Sequence, residues 1–317
     1  MTKKGLLLVN LGTPQAPTPS AFKTYLKKFL SDQRVIRMNP LIWQPILRGM
    51  ILPRRAARSA QKYQKIWDSQ KGSPLLYYTK EQALAVQAKL PEYTVRYAMS
   101  YSTPSIPAAL SEFEHSQVQD LTVIPLYPHY STTTVASVQD SIHRFYLSRQ
   151  VAPNLHLVSD YCDYPPYIEA LAKLLQRDLT KYQPDCLVFS YHGIPQSYSD
   201  SGDPYIFRCH KTTQALVAKL KITLPYFESY QSRFGPNEWI KPATDETIKS
   251  LPAKGYKNVL VLAPSFVSDC LETLLELNEE NRHYFMAAGG SSYHVVSCLN
   301  DDPDWISALS KLTLSMQ

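Results

Sequence analysis

The fold is indicated most clearly by residues 186–195, which read Cys-Leu-Val-Phe-Ser-Tyr-His-Gly-Ile-Pro. A short apolar run of this kind is typical of a buried strand, and the glycine and proline after it are typical of a loop. In open α/β sheets the ligand binds at the carboxyl ends of the strands. His192 should therefore lie at a binding edge, where an imidazole can act as a general base or a metal ligand. A loop histidine bonded to the backbone is the alternative, and position alone leaves both open.

Similar segments recur along the chain. Residues 8–14 resemble residues 188–195, and residues 123–127 resemble residues 261–266. Each is an apolar run followed by a loop that contains proline or glycine. We therefore predict two similar lobes, with all four loops facing one cleft.

Short apolar runs alternate with longer helical patterns, which predicts a doubly wound α/β fold with parallel sheets. We expect an N-terminal lobe over residues 1–150, a C-terminal lobe over 151–303, and a last helix, 304–317, that packs back on the first lobe. Strands are predicted at 6–10, 94–98, 121–125, 155–158, 186–190 and 258–263, and helices at 20–30, 79–89, 167–181, 211–221 and 269–285.

Composition excludes several classes of protein. The chain has 317 residues, with 33 Lys and Arg against 27 Asp and Glu, for a net charge of +6. This balance suits an anionic ligand or membrane surface without requiring one. Only 10 residues are glycine, and neither common glycine-rich phosphate motif occurs, which argues against the usual nucleotide enzymes.

The five cysteines lie far apart and form no Cys-x-x-Cys pair. This spacing argues against a disulfide framework, a zinc ribbon or a locally ligated iron–sulfur cluster, and favours buried thiols in a reducing compartment. The apolar run at residues 6–9 is too short for a signal peptide, and no stretch approaches a membrane span. We expect a cytoplasmic protein, with peripheral contact at the inner face of the membrane as an option.

Four acidic residues follow the predicted strand at 258–263. Asp269, Glu272, Glu276 and Glu280 are spaced by three, four and four, so one helix should carry them on one face. Such a row could bind or conduct cations or protons. The alternative is a capping box, because Asp269 and Glu272 have the spacing of one.

Residues 34–65 interleave apolar side chains with arginines. Prolines at 40, 45 and 53 argue against a single core helix. A large apolar patch with a cationic rim suits a flat hydrophobic ligand that carries carboxylates, or an anionic lipid surface. An amphipathic helical hairpin that covers a core is the alternative, and nucleic acid is disfavoured. The apolar members of this stretch, called the lip below, are Leu41, Ile42, Trp43, Ile46, Leu47, Met50, Ile51 and Leu52.

Four blocks of sequence together resemble the ferrochelatase family. They are residues 7–14, residues 189–195 with 202–205, residues 231–239 with 244–246, and residues 266–274. The resemblance runs in order from about residue 5 to residue 305. It implies two lobes, each a four-stranded parallel sheet flanked by helices, with the active cleft between them. It also implies a lyase that inserts ferrous iron into protoporphyrin IX to give protohaem, the terminal step of haem biosynthesis.

The resemblance also implies roles for individual residues. His192 and Glu272 would face each other across the macrocycle as metal-site and proton-handling residues. Asp269, Glu276 and Glu280 would extend the path for protons or metal, and the lip would admit the porphyrin and touch the membrane. The positions that match the lining of the porphyrin pocket are Asn10, Leu11, Arg55, Tyr63, Tyr101, Tyr127, Gln231, Trp239 and Phe266.

The expected chemistry is distortion of the macrocycle, deprotonation of the pyrroles and transfer of the metal, with remote binding energy supplying the strain. Iron is then a substrate, held by a weak and incomplete site, and no cofactor is permanently bound. Cys270 stands where many family members have histidine, so a metal-relay role of that histidine has no counterpart here, and Cys270 is either a packed thiol or a thiolate ligand. Thr132 stands at the position of a cluster cysteine. We therefore expect no iron–sulfur cluster.

Two other functions fit the same residues. A coproporphyrin III ferrochelatase would need further cationic contacts for two extra propionates. A non-catalytic tetrapyrrole carrier would need neither His192 nor Glu272. We expect a monomer, although nothing in the sequence fixes the oligomeric state.

Overall fold

The computed structural model describes residues 2–316, which form two compact units. One unit contains the chain up to Asp160 together with the chain from Ile306 onward, and the other spans Tyr161–Trp305. The division between the units falls after Asp160, because the strand at Asn154–Leu157 pairs with the sheet of the first unit.

The first unit is built on a four-stranded parallel sheet in the order β2-β1-β3-β4. The apolar runs predicted as strands at 6–10, 94–98, 121–125 and 155–158 are confirmed, each with slightly different ends. The strands are β1 Lys4–Asn10, β2 Tyr93–Met99, β3 Asp120–Pro125 and β4 Asn154–Leu157, and the helices are α1 Pro19–Leu30, α2 Pro40–Ile46, α3 Leu52–Ile66, α4 Pro74–Lys89, α5 Ile106–His115, α6 Val135–Leu147 and α12 Pro303–Ser315.

The second unit repeats this arrangement with a parallel sheet in the order β6-β5-β7-β8. It also contains a π-helical stretch, Glu272–Glu280, called the acidic π segment below. The strands are β5 Cys186–His192, β6 Tyr226–Gln231, β7 Asn258–Leu262 and β8 Ser292–Val295, and the α-helices are α7 Pro165–Tyr182, α8 Gln196–Asp200, α9 Tyr205–Leu220, α10 Thr244–Ser250 and α11 Asn281–Ala287.

Two strands of the second unit have no counterpart among the sequence predictions. β6 contains Glu228 and Ser229 and lies at the sheet edge, so its pattern is too polar to be recognised as a buried run. β8 is only four residues long. With β6 and β8 the second sheet has four strands, whereas the sequence predicts two of them.

Each sheet has a core between its strands and the helices that cover it. In the first unit, Leu7 and Val123 pack against Leu110 and Phe113 of α5. In the second unit, Val188 and Val261 pack with Leu277 of the acidic π segment and Phe285 of α11. Because all strands in a sheet are parallel, their carboxyl ends meet at one edge, and the loops that follow them lie together there.

Prolines account for many of the helix starts. α1, α2, α3, α4, α5 and α7 each have proline in one of their first two positions. The backbone N–H that proline lacks is one that a first turn leaves unpaired in any case. The 24 prolines of this chain are therefore compatible with its high helix content. No helix within residues 2–316 is long and apolar enough to cross a membrane.

Candidate active site

His192 is the last residue of β5, as predicted for a strand-end position. Its backbone N–H donates to the Ser265 hydroxyl oxygen, 3.2 Å away. Its ring Nδ1 lies 2.6 Å from the carbonyl oxygen of Gly193. A carbonyl can only accept, so Nδ1 carries the proton of the neutral ring, and Nε2 keeps a lone pair for a proton or a metal. The backbone bond that the sequence leaves as an alternative is therefore present, and Nε2 stays available for a proton or a metal.

Gly193 allows the end of β5 to approach its neighbours closely. Its N–H donates to the Gln231 carbonyl oxygen at 2.8 Å. A Cβ atom at this position would lie 2.9 Å from that same oxygen and 3.1 Å from the Trp239 ring. A side chain at position 193 would therefore push the histidine loop away from β6.

The acidic π segment keeps three of the four predicted carboxylates together. Each turn of π winding contains more than four residues, so residues four apart still lie near one face. Glu272 and Glu280 both raise the pKa of Glu276, which places their charges close to it. The predicted face is therefore present for Glu272, Glu276 and Glu280.

Asp269 does not belong to that face, because the helical segment begins only after it. One of its oxygens accepts from the Thr273 hydroxyl at 2.9 Å, and the other accepts from the Asn300 amide at 2.7 Å. Its own N–H donates to the Asn300 side chain rather than to Glu272. Both the helix-face assignment of Asp269 and the capping-box alternative were wrong. The residue joins the start of this segment to the loop at Asn300.

Glu276 is held at both carboxylate oxygens by Ser232. The backbone N–H of Ser232 donates to Oε1 and its hydroxyl donates to Oε2, each at 2.7 Å. Ser232 adopts a left-handed backbone, with φ of 68°. Burial, together with the neighbouring Glu272 and Glu280 charges, raises the pKa of Glu276 to about 7, against the lowering effect of the Ser232 bonds. Glu276 can thus gain or lose a proton near neutral pH.

Replacing Glu276 with Gln should change how stability depends on pH. A carboxyl whose folded pKa lies above its unfolded value contributes stability below the unfolded pKa, and this contribution is lost as pH rises through the folded pKa near 7. The glutamine has no such loss, so the stability of the variant relative to wild type should rise between pH 4.5 and pH 8, by at most about 3 kcal/mol. Urea unfolding at several pH values measures this slope. Glu279→Gln, an exposed change on the same segment, should leave it unchanged.

Cys270 and Cys298 lie beside the start of the acidic π segment. Burial raises the pKa of both thiols well above the usual value, and a nearby carboxylate raises each further, Glu272 for Cys270 and Asp269 for Cys298. The thiol of Cys270 therefore stays protonated, which fits a packed side chain rather than a thiolate ligand. All five cysteines are buried, and no disulfide forms within the described part of the chain.

Phe266 and Trp239 are aromatic residues on either side of the histidine loop. Phe266 follows β7 and is half-buried, with its ring centre 6.2 Å from that of His192. Trp239 is buried, and its indole N–H donates to the Phe234 carbonyl oxygen at 3.0 Å. Phe266 is thus the more accessible of the two to a flat ligand near His192.

In the first unit, Asn10 ends β1 and its side chain is turned inward. Its Nδ2 donates to the Thr79 hydroxyl at 3.0 Å, and its Oδ1 accepts from the N–H of Leu11 at 2.8 Å. Leu11 is half-buried. Gly12 follows with φ of 110°, and a Cβ there would lie 2.7 Å from the Ser102 hydroxyl. This loop is therefore tightly packed at the sheet edge.

Tyr101 is buried, and its hydroxyl donates to the Asp32 carboxylate at 2.7 Å. The Ser137 hydroxyl donates to the same carboxylate. Burial and the Asp32 charge raise the pKa of Tyr101, so its phenol stays neutral. These contacts tie the chain after β2 to the segment that leads into the lip.

The three remaining predicted pocket residues of this unit differ in exposure. Tyr63 of α3 is buried, with its ring centre 5.2 Å from that of Phe22. Tyr127, just after β3, is half-buried, and burial raises the pKa of its phenol. Arg55 lies on the exposed side of α3, near Arg58. Of the three, Arg55 is the exposed one, and the Tyr127 hydroxyl is buried.

The chain is helical without a gap from Pro40 to Ile66, a range that contains the lip. The prediction that prolines would interrupt this stretch was therefore wrong. A π turn at Leu47–Ile51 joins α2 to α3, and an N–H at its end reaches back five residues, from Leu52 to the Leu47 carbonyl. Of the predicted lip residues, Leu47 and Leu52 are buried. Leu41, Ile42 and Met50 are exposed by 84%, 59% and 54%, and Trp43, Ile46 and Ile51 are half-buried.

The most important contacts that sequence patterns do not reveal come from serines. Ser232 and Ser265 lie at strand ends, and each reaches a partner more than 40 residues away along the chain. The one signal in the sequence that could have suggested these two serines is their position after an apolar or aromatic run. Within residues 2–316, no group of three or more His, Cys, Asp or Glu side chains is arranged to hold a metal ion.

The fold is similar to that of solved chelatase structures, among them the sirohydrochlorin chelatase SirB. SirB from Bacillus subtilis, solved with Fe3+, superimposes with a TM-score of 0.57 at 11% identity, covering 99% of this chain and 96% of that one. CbiX, described as the terminal enzyme for biosynthesis of siroheme in denitrifying bacteria, gives 0.55 at 12% identity, covering 98% of each chain. At such low identity these likenesses show the fold alone.

Sequence comparison identifies the family to which the chain belongs. The family model for ferrochelatase matches residues 3–317. Ferrochelatases from Yersinia pestis (strain Pestoides F) and Yersinia pseudotuberculosis serotype IB (strain PB1/+) are 44% identical over 313 residues, covering 98% of this chain and 98% of theirs. The chain belongs to the ferrochelatase family.

Proposed function

We propose that this enzyme inserts ferrous iron specifically into protoporphyrin IX, with His192 and Glu272 at the reacting centre. The reaction, insertion of iron into a porphyrin for haem synthesis, follows from membership of the ferrochelatase family. One observation supports the residue assignment. At one edge of the second sheet lie the His192 imidazole, whose Nε2 is available, and the carboxylates of the acidic π segment.

The reaction releases two protons for each divalent metal ion that enters, because both pyrrole N–H groups are lost. His192 Nε2 accepts one of these protons, since Nδ1 is already committed to Gly193. Glu272 accepts the other and passes it to Glu276, whose pKa of about 7 lets it release the proton to solvent. Where Glu272 instead ligates the incoming ion, Glu276 accepts the second pyrrole proton itself. A base with a pKa near the working pH serves this role best.

The preference for protoporphyrin is supported by the lip. Its exposed face is formed largely by Leu41, Ile42 and Met50, which suits the more hydrophobic of the two porphyrins. The second candidate, coproporphyrin III, has two more propionates, and the arginines beside the lip, Arg48, Arg54 and Arg58, are exposed and could meet them.

Anaerobic incubation with ferrous or zinc ion and each porphyrin tests the proposal. Metal insertion converts the four-band visible spectrum of the free base into a two-band spectrum. We expect a larger kcat/KM with protoporphyrin than with coproporphyrin. A faster reaction with coproporphyrin would reassign the substrate, and binding without any spectral conversion would identify a carrier.

We further propose that the lip touches the membrane surface. It presents large apolar side chains next to arginines, the combination that binds an anionic interface. The lip is anchored from behind, because the Trp43 indole N–H donates to the Leu30 carbonyl oxygen at 2.6 Å and the Gln44 amide donates to the Ser31 hydroxyl at 3.0 Å. Its exposed side is thus held facing outward from α1.

The double change Leu41→Asp and Ile42→Asp should weaken binding to vesicles of phosphatidylglycerol and phosphatidylethanolamine by about 10-fold or more, because two apolar side chains are lost. Co-sedimentation measures this binding. Leu147→Asp is the matched control, since Leu147 is exposed by 86% but lies on α6. Equal loss in the control, or no vesicle binding by wild type, would contradict the membrane proposal.

We also propose that this enzyme carries no iron–sulfur cluster. Thr132, at the position of a cluster cysteine in the resemblance, accepts a hydrogen bond from the Arg37 guanidinium at 2.6 Å. A hydroxyl in such a pair is no substitute for a thiolate. Iron and acid-labile sulfide in stoichiometric amounts in the purified protein would overturn this proposal.

A further inference from the structure

Gln231 lies at the end of β6, beside His192 in the sheet, and is only 2% exposed. The Ser190 hydroxyl donates to its Oε1 at 2.7 Å, and its Nε2 donates to the backbone carbonyl oxygen of Glu272 at 3.1 Å. This amide orientation is required, because the Glu272 carbonyl can only accept. One side chain thus joins the strand of His192 to the first residue of the acidic π segment.

The Ser190 end of this link is itself fixed. Ser190 and Thr244 are both buried, and their hydroxyl oxygens lie 2.8 Å apart. The Thr244 hydroxyl donates in turn to the Ser229 hydroxyl oxygen at 3.0 Å, so Ser190 belongs to a buried cluster of hydroxyl groups. The amide of Gln231 is therefore held at both ends by groups that belong to regular elements, and it has little freedom to turn.

We infer that Gln231 is a positioning residue that sets where Glu272 stands relative to His192, instead of the porphyrin contact that family resemblance implies. The inference rests on the proposed function of those two residues. Both polar ends of the Gln231 amide are already used, and almost no surface is left for a ligand to touch. The next residue, Ser232, holds the Glu276 carboxylate itself, so the end of β6 fixes the backbone at Glu272 and the side chain of Glu276.

Residues that orient a metal-site group commonly change metal affinity or activity by 10- to 100-fold when they are removed. We therefore expect Gln231→Leu to lower kcat for metal insertion by about 10- to 100-fold. The dissociation constant for porphyrin, measured by quenching of protein fluorescence, should stay within about twofold of wild type, because the side chain is not part of the binding surface.

Tyr293→Phe is the matched control. The Tyr293 hydroxyl donates to the Leu277 carbonyl oxygen at 2.8 Å, so this change removes a buried hydrogen bond to the same segment away from Glu272. It should lower the melting temperature as Gln231→Leu does and leave kcat within about twofold. Should Gln231→Leu fail to fold, Ser190→Ala frees the other end of the amide and should give a smaller loss of kcat in the same direction.

Hydrogen exchange of the backbone amides over residues 272–276 provides a readout that does not depend on activity. Exchange there should quicken in Gln231→Leu and stay near wild type in Tyr293→Phe. Weaker porphyrin binding with unchanged kcat would make Gln231 a contact residue and overturn the inference, as would an equal loss of kcat in Tyr293→Phe. Failure of the wild-type enzyme to insert metal would instead refute the proposed function, and the exchange result would still decide whether Gln231 holds this segment.

Discussion

Replacing His192 with alanine should lower kcat for metal insertion by about 100- to 10,000-fold, the range expected when a general base is lost. The reason is that Nε2 is the one ring atom of His192 left available for a pyrrole proton once Nδ1 is committed to Gly193. The loss should appear with both ferrous and zinc ions, because the proton must leave whichever metal enters. Stopped-flow spectroscopy of the porphyrin bands measures this rate.

The same variant should still bind porphyrin, since an imidazole adds little to the contact area of a macrocycle. His283→Ala, an exposed change on α11, is the control for loss of a histidine as such and should retain full activity. A His192→Ala enzyme that binds porphyrin and inserts metal at the wild-type rate would remove His192 from the mechanism.

Replacing Glu272 with Gln should also lower kcat/KM for the metal ion by roughly 100-fold or more, since the change removes the negative charge at the start of the acidic π segment. The backbone carbonyl that Gln231 holds is untouched by this change, so the segment itself should stay in place. Initial rates at several ferrous ion concentrations show whether Glu272 acts as a metal ligand or as a proton acceptor. A higher KM for the ion indicates a ligand, and a lower kcat at saturating ion indicates a proton acceptor.

Two comparisons make the Glu272 experiment decisive. Glu279→Gln removes one charge from an exposed position on the same segment and should leave both constants near wild type. In the double variant with His192→Ala, the losses should be far from additive, because groups that serve one step act as a unit. Full additivity, or wild-type kinetics for Glu272→Gln, would show that Glu272 and His192 do not share a step.

The parts of the fold that the sequence predicts correctly are those with a strong local signal. β5 and its terminal histidine are recognisable because a buried apolar run stops at Gly193 and Pro195. β6 is not recognisable, because Glu228 and Ser229 interrupt its pattern at a sheet edge. The lip prolines mislead for another reason: Pro40 begins α2, Pro53 lies in the first turn of α3 directly after the π turn, and Pro45 lies inside α2 without ending it.

In the candidate site, too, local patterns are predictable from the sequence and long-range contacts are not. Spacing alone places Glu272, Glu276 and Glu280 near one face, since residues four apart are neighbours in either kind of winding. It cannot tell where the helix begins, and so it wrongly includes Asp269. It also gives no sign of Ser232 or of the Gln231 link, because those contacts join residues 44 and 41 positions apart. Long-range hydrogen bonds of this kind depend on tertiary structure.

The winding of the acidic π segment has a consequence for insertions and deletions. A π-helix has more than four residues per turn, so each residue advances it by less than about 90°. Removing one residue between Glu272 and Glu276 would turn every later side chain around the axis by roughly that angle. Glu276 would swing out of reach of Ser232 even though no carboxylate had been lost. The length of this stretch is therefore as much a determinant of the charge pattern as its composition, and related chains should tolerate exchange of its residues more readily than a change in their number.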